Sequence, residues 1–411
     1  MERKKKCLLI TNHFFPETFR CNDIAFELAK RGYEVKVLTG IPDYPQGKYH
    51  KGHSLFRKRL EKMDGVEILR VPHIPRGKGG AMRMMVHYAS SSFFFFFHAL
   101  YQAIFNRYDC IFIHNTSPAF ICIPAVLIKK LRGTPIDHWI LDMWPESLAA
   151  GGINNKKVYG IIEKMMSIIY RNCDIIHISS MGFKSLLLEK GVPEAKIEYL
   201  PNFCEDTSGN TELKSIPQLP EGFIVMFAGN IGEAQNMENV MRSALQLKEE
   251  KDIHFVFVGD GRKKVWIEEF VKENGLENTV HLMGRWPIDT MSAFFAEADV
   301  MLVSLKDEVA FNLVLPAKVQ AYMVNKKPIL AMLNGEGQEV IKAARCGWSV
   351  NSDDIEGMVR TIKEISRNSK EELATIGENG YRFYSKNFEL NLCIDKIDNS
   401  LSRLIKAKSQ N

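Results

Sequence analysis

A chain of 411 residues exceeds what one ordinary hydrophobic core covers, so two domains are expected. Apolar residues make up 45% and charged residues 25%, the balance of a folded protein, which excludes a disordered one. The net charge of +5 suits contact with phosphates or an anionic membrane surface and is too weak to argue for nucleic acid.

The chain starts Met1-Glu-Arg-Lys-Lys-Lys, basic like a signal peptide. The apolar run that follows, 7–11, is too short for a signal core and reads as a first strand. Its loop, Thr11-Asn-His-Phe-Phe-Pro-Glu-Thr-Phe-Arg20, carries Glu17 and Arg20, candidates for contact with a substrate or for a local ion pair. An amphipathic helix is predicted over 22–31, closed by Gly32. Further strands fall at 34–39, 66–71, 110–115, 136–141, 174–178 and 196–200, alternating with helical patterns as in a parallel sheet.

Between the third and fourth of these strands, residues 84–106 contain no fully charged residue and include five consecutive phenylalanines, Phe93–Phe97. The run is long enough to span a bilayer, but it links strands of one sheet, so a span would separate them. Val86, Ala89, Phe93, Phe97, Leu100 and Ile104 recur at helical steps and supply a buried face, leaving Phe94 and Phe95 off it. With Arg76, Lys78 and Arg83 just upstream, the expectation is a helix dipping into a membrane surface through Phe94 and Phe95; an ordinary core helix is the alternative. Asp142, in Leu141-Asp-Met-Trp-Pro-Glu146, follows the fifth strand. There a carboxylate can bind a hydroxyl or polarise a reacting centre, or cap a turn.

Residues 201–222 hold three prolines, two glycines and many polar residues and read as a linker. The alternation resumes with strands at 223–228, 254–258, 280–283, 300–303 and 328–331. The domains expected are 1–200, joined by a C-terminal stretch 388–411 that crosses back, and 223–387. Both are Rossmann-like α/β units with ligands at the carboxyl ends of their strands. Gly229-Asn-Ile-Gly232 follows the first strand of the second half and precedes a helix near Asn236. Such a turn lets backbone N–H groups approach a phosphate, though any Rossmann unit needs glycines in tight turns. Gly259-Asp-Gly261 repeats the device. In Leu315-Pro-Ala-Lys318, Pro316 suits a first helical turn, so Lys318 would oppose the helix dipole unless an anion binds there. Trp144 and Trp286 can stack on a sugar or base, or simply pack. Eight cysteines without a CxxC indicate a reducing cytoplasm and neither disulfides nor a metal.

With these residues in view, nearly the whole chain resembles glycosyltransferase family 4, retaining enzymes of the GT-B fold. It looks most similar to the WbuB-type L-fucosamine transferases of bacterial polysaccharide biosynthesis. The carrying segments are 15–23, 31–47, 142–147, 229–235, 318–322 and 327–330. The resemblance implies a nucleotide-sugar donor, UDP-linked and held mainly by the second domain, with the acceptor on the first. It implies no cofactor and no metal, because protein groups stabilise the leaving diphosphate. Three departures stand out. Asn230 and Gln235 replace a family Arg and Lys, Leu313 and Ala321 replace a pair of glutamates, and the first loop lacks its glycine pair. Diphosphate neutralisation then falls to Lys318 first and Arg285 second, and ribose contact to Glu339. The function expected is transfer from UDP-N-acetyl-L-fucosamine to a polyprenyl-diphosphate-linked saccharide for an O-antigen or capsule, at the inner face of the plasma membrane. A GT-B nucleotide-sugar epimerase and a non-catalytic partner subunit are the alternatives.

Overall fold

The structure, a computed structural model, describes residues 3–77, 80–150, 155–204 and 215–410. Lys78 and residues 205–214 of the expected linker lie outside them. The chain forms two compact units, Met1–Pro201 with Asn391–Asn411, and Asn202–Leu390.

The first unit is built on eight strands: β1 (Lys6–Thr11), β2 (Glu34–Gly40), β3 (Leu60–Met63), β4 (Val66–Val71), β5 (Cys110–Asn115), β6 (Ile136–Ile140), β7 (Ile175–Ile178) and β8 (Ile197–Tyr199). Their order is β3-β4-β2-β1-β5-β6-β7-β8, parallel throughout except the β3–β4 hairpin. Residues of β1, β5, β6 and β7 are buried almost without interruption, because both faces of the sheet are covered. Strand β3 was not expected. It is a half-exposed edge strand, and its signal was the Asp64-Gly65 turn, whose φ values of +46° and +83° suit a tight hairpin.

Helix α1 (Arg20–Lys30) opens two residues before the predicted start and ends before Gly32, whose φ is +92°. Helix α2 (Ala81–Phe105) forms where the apolar run predicts a helix, but with its faces exchanged. Phe95 is 1% exposed, and with His87, Ala99, Gln102 and Ala103 it makes the buried side. Phe93 (58% exposed), Phe97 (50%), Phe96, Val86 and Ile104 face outward, and Phe94 is partly exposed. Phe95 is therefore core and not a membrane contact. Five consecutive phenylalanines occupy every side of a helix, so periodicity alone does not orient it. Small residues decide instead, since Ala99 and Ala103 let α2 approach the helix Cys122–Arg132 closely. The polar members of the buried side are satisfied locally: His87 Nδ1 bonds Ile74 O (2.7 Å), and Gln102 accepts from the Tyr108 hydroxyl (2.5 Å).

Helix Leu390–Gln410 completes the first unit. Its Ile394, Ile397 and Leu401 are buried, and the Ser400 hydroxyl donates to Asp137, which also lies 3.2 Å from His177 Nε2. Arg403 grips Glu198 through both carboxylate oxygens (2.6 and 2.7 Å).

The second unit has six parallel strands, β9 (Phe223–Ala228), β10 (Ile253–Val258), β11 (Val280–Gly284), β12 (Val300–Ser304), β13 (Ile329–Met332) and β14 (Gly347–Val350), in the order β11-β10-β9-β12-β13-β14. Alternate residues of β9 feed separate cores on its two faces. Val225 and Phe227 join one, with Phe255 and Phe257, while Ile224 and Met226 join the other, with Met301 and Tyr322. Strand β14 also escaped prediction, being four residues long and opening on a glycine. The strand order reverses between β1 and β5 in one sheet and between β9 and β12 in the other. At these switch points loops diverge and leave a crevice. Both units are Rossmann-like.

Candidate functional site

The turn after β9 lies at the switch point of the second sheet. Gly229 has φ +131°, and a Cβ there would stand 3.0 Å from Lys318 Cε, so the lysine lies directly over the turn. Helix Ala317–Val324 begins after Pro316, which serves as its N-cap one position earlier than expected. Lys318, its second residue, folds back so that Nζ donates to Gln235 Oε1 (2.7 Å) and sits 4.7 Å above the Phe227 ring. Burial pushes its pKa down to about 8. Among the described residues no carboxylate pairs with it, so the fold holds a desolvated cation over the turn and gives it one neutral hydrogen-bond partner. Removing an ammonium from water without a counter-charge is costly, and a bound anion relieves that cost.

Gln235 stands where the family resemblance places a lysine, and here it anchors Lys318. The Gln235 carbonyl accepts from Ser304 Oγ (2.6 Å) at the end of β12, tying the turn to the other wall of the switch point. Asn230 packs over Gly232, where a Cβ would come within 2.7 Å of its amide nitrogen. Gly259 has a different reason to be glycine: with φ +151°, a Cβ would meet the Gly229 carbonyl oxygen at 1.9 Å. The two turns pack backbone to backbone. Beside them a cavity of about 840 Å³ is lined by Gly229, Asn230, Gly259, Asp260, Arg285, Trp286, Ile288 and Met291, a volume in the range of ligand pockets. Trp286 donates Nε1 to Met283 O (2.9 Å), which fixes its ring at the cavity edge. Ile288, 90% exposed on the rim, was not singled out in the sequence, because one isoleucine after a proline has no pattern.

Glu339 is not brought to this place. It lies exposed in the first turn of helix Glu336–Ala344 and outside the cavity lining. Gly335, with φ +74°, packs that helix start against the backbone of Asn312, and the turn directs Glu339 to solvent.

In the first unit Asp142 is half-buried just past β6. Its Oδ2 accepts from Ser117 N (3.2 Å) and Oγ (2.9 Å), and Ser117 Oγ accepts from Trp144 Nε1 (3.0 Å). Trp144 is thus core and holds the Asp142 loop against the loop after β5. Glu17 differs from expectation. Its side chain is 1% exposed and fully engaged: Oε1 accepts from the N–H groups of Asp43 (2.8 Å) and Tyr44 (2.7 Å), and Oε2 meets His13 Nδ1 at 2.8 Å. It ties the first loop to the loop after β2 and is buried away from any acceptor. Arg20 is half-buried at the start of α1. Beside Glu17, His13 is buried, with Nε2 2.6 Å from Arg76 NH2, and the half-buried Arg76 lies 5.3 Å over the Tyr44 ring. Burial alone would raise the Asp43 carboxyl, but His73 and the Arg76 N–H hold it down to about 2. Burial pushes His87 down to about 4.

Comparison with known proteins follows the division into two units. Residues 18–202 match the family model described as glycosyl transferase 4-like domain, and residues 210–383 match glycosyl transferases group 1. The chain is 28% identical over 271 residues to the probable glycosyltransferase WbjE of Pseudomonas aeruginosa, covering 62% of this chain and 66% of that protein. It is also 28% identical over 309 residues to WcaI of Escherichia coli (strain K12), named for colanic acid biosynthesis, covering 71% and 73%. Among solved structures, sucrose-phosphate synthase of Thermosynechococcus elongatus superposes with a TM-score of 0.72 at 14% identity, covering 98% of this chain and 100% of that one. Anabaena HepE, solved with UDP, superposes with a TM-score of 0.67 at 13% identity, covering 97% and 100%. These likenesses establish the GT-B fold. The chain is similar to group 1 glycosyltransferases over residues 210–383 and to glycosyl transferase 4-like domains over residues 18–202.

Proposed function

We propose that the protein transfers a sugar from a UDP-sugar, with UDP-N-acetyl-L-fucosamine the donor suggested by its resemblance to the WbuB type, to a polyprenyl-diphosphate-linked saccharide of an O-antigen or capsule. The observation that carries the donor assignment is Lys318, a buried cation without a carboxylate partner over the Gly229 turn. That HepE was solved with UDP, and that WcaI is named for colanic acid biosynthesis, support the reading.

In this mechanism the bond between the sugar's anomeric carbon and the diphosphate oxygen breaks. The acceptor hydroxyl attacks from the same face, and its proton passes to the departing phosphate oxygen, giving retention. Charge grows on the diphosphate as the bond opens. The N–H groups of Gly229 and Ile231 already donate to Val258 O and Asp260 O (both 2.8 Å), so the amides of Asn230 and Gly232, with the Asn230 side chain, Lys318 and Arg285, are the groups that take it up, and no metal is needed at the leaving group. On the first unit, Asp142 and Arg20 are the groups offered to sugar hydroxyls and to the acceptor. Ribose contact passes from Glu339 to the cavity beside Gly259.

The acceptor's lipid is met at a membrane surface by α2. Its outward face presents Phe93, Phe94, Phe96 and Phe97, with Arg83 at its start and Arg107 just beyond its end, an apolar strip flanked by cations. No helix among the described residues is long and apolar enough to cross a membrane. Incubation with candidate UDP-sugars and a lipid-linked acceptor tests the reading. Product with the donor's anomeric configuration is expected; epimer formation, or donor binding without turnover, would replace the proposal with one of its alternatives.

A further inference from the structure

Behind the crevice of the first unit, three buried side chains from three elements converge. Asp43 comes from the loop after β2, His73 from the segment after β4 and His87 from α2. One ligand-type atom from each lies within 4.8 Å of the others. His73 Nε2 stands 3.7 Å from Asp43 Oδ2. Ligand atoms of a tetrahedral zinc site at 2.0–2.1 Å are about 3.4 Å apart, so the three side chains must rotate towards one another to close the set.

His73 is 4% exposed, and neither of its ring nitrogens has a hydrogen-bond partner. A buried imidazole without a hydrogen bond, its one carboxylate neighbour standing 3.7 Å away, is uncommon and leaves a place for a ligand between the two. His87 Nδ1 is taken by Ile74 O (2.7 Å), the kind of contact that orients metal-binding histidines, which leaves Nε2 as its ligand atom. A cavity of about 10 Å³, the size of one water, adjoins all three residues. Arg76 is the opposing charge. Its N–H donates to Asp43 Oδ2 (2.9 Å), but its guanidinium is turned to His13 and stays 3.6 Å from Asp43 Oδ1. The buried Glu17 carboxylate on the far side of His13 offsets it.

We infer that Asp43, His73 and His87 form a zinc site with a water as fourth ligand, stapling the start of α2 to the crevice wall. Two imidazoles and one carboxylate are a set suited to zinc. The site lies in the first unit and leaves the leaving-group chemistry, proposed for the second, free of metal.

The full-length chain, stripped with a chelator and titrated with Zn²⁺ against a chromophoric competitor, is expected to bind one equivalent. His73→Gln and His87→Gln should each weaken binding by more than about a hundredfold, beyond what outer-shell losses cost. His281→Gln, which alters the separate His254–His281 pair (3.2 Å), should leave it unchanged. Failure of the unaltered chain to bind zinc stoichiometrically, or full binding by His73→Gln, overturns the site. Should either variant fail to fold by circular dichroism, Co²⁺ added to the unaltered chain decides. A d–d spectrum without thiolate charge transfer supports the site, and a thiolate band, or no spectrum, overturns it. Donor hydrolysis by the stripped protein reports separately on the transferase reading.

Discussion

Lys318 is placed at a cost. An ammonium in the first turn of a helix opposes the dipole, and here it is also desolvated. Lys318→Ala should therefore lower turnover at least about tenfold, because it removes a contact strengthened as the diphosphate departs. A kcat within twofold of the original protein would contradict that role. The free side chain loses its proton above about pH 8, whereas a bound diphosphate favours the charged form. Binding thus takes up a proton and weakens as pH rises, by up to about tenfold per unit above that point. Calorimetric titration of UDP from pH 7 to 10 checks this, and Lys318→Ala should flatten the profile. The two glycine turns separate by the same reasoning. Gly229→Ala pushes on Lys318 and should weaken UDP binding; Gly259→Ala drives a Cβ into the Gly229 carbonyl and should chiefly lower the melting temperature. Lys318 was legible because Pro316 announces a helix start, and Gly229 because it ends an apolar run. His13, His73 and Arg76 were not, since scattered polar residues in loops carry no period and only the fold assembles them. Glu17 failed for the opposite reason: its loop was read correctly, but its oxygens were already taken.

Among the elements, α2 shows most clearly what patterning can decide. The apolar run forecast a helix, and its lack of charge forecast an unusual surface. The face was misread because the buried side holds His87, Gln102 and two alanines, less hydrophobic than the side turned outward. Packing distance and local hydrogen bonds outweigh hydropathy there. Phe95→Ala should cost about 3–5 kcal/mol of stability, as for other buried phenylalanines. Phe93→Ser with Phe97→Ser should leave the melting temperature nearly unchanged and sharply reduce binding to vesicles containing anionic phospholipid. Equal vesicle binding by the double variant would remove the membrane role from this face. Strands show the same division. Long buried runs such as β9 and β10 announce themselves, whereas β3 and β14 are short edges whose residues serve half to solvent.

At the scale of the molecule, two repeats of the same α/β architecture were readable from alternating apolar runs, and the break near residue 201 from its prolines. The return of helix Leu390–Gln410 to the first unit is made by polar locks that a sequence does not display. Ser400, Asp137 and His177, buried together, come from residues more than 200 positions apart, as the Ser400–Asp137 and Ser400–His177 separations of 263 and 223 show. Ser400→Ala strips the buried Asp137 of a donor and should cost about 1–3 kcal/mol, read as a lower melting temperature with UDP affinity unchanged.

The central claim concerns where the anion is gripped. A crystal structure of the protein with UDP tests it most directly. The β-phosphate is expected within hydrogen-bonding distance of Lys318 Nζ and of the Asn230 and Gly232 amides in the Gly229–Gly232 turn, with the base in the cavity beside Arg285 and Trp286. A diphosphate bound away from both Lys318 and that turn would contradict it.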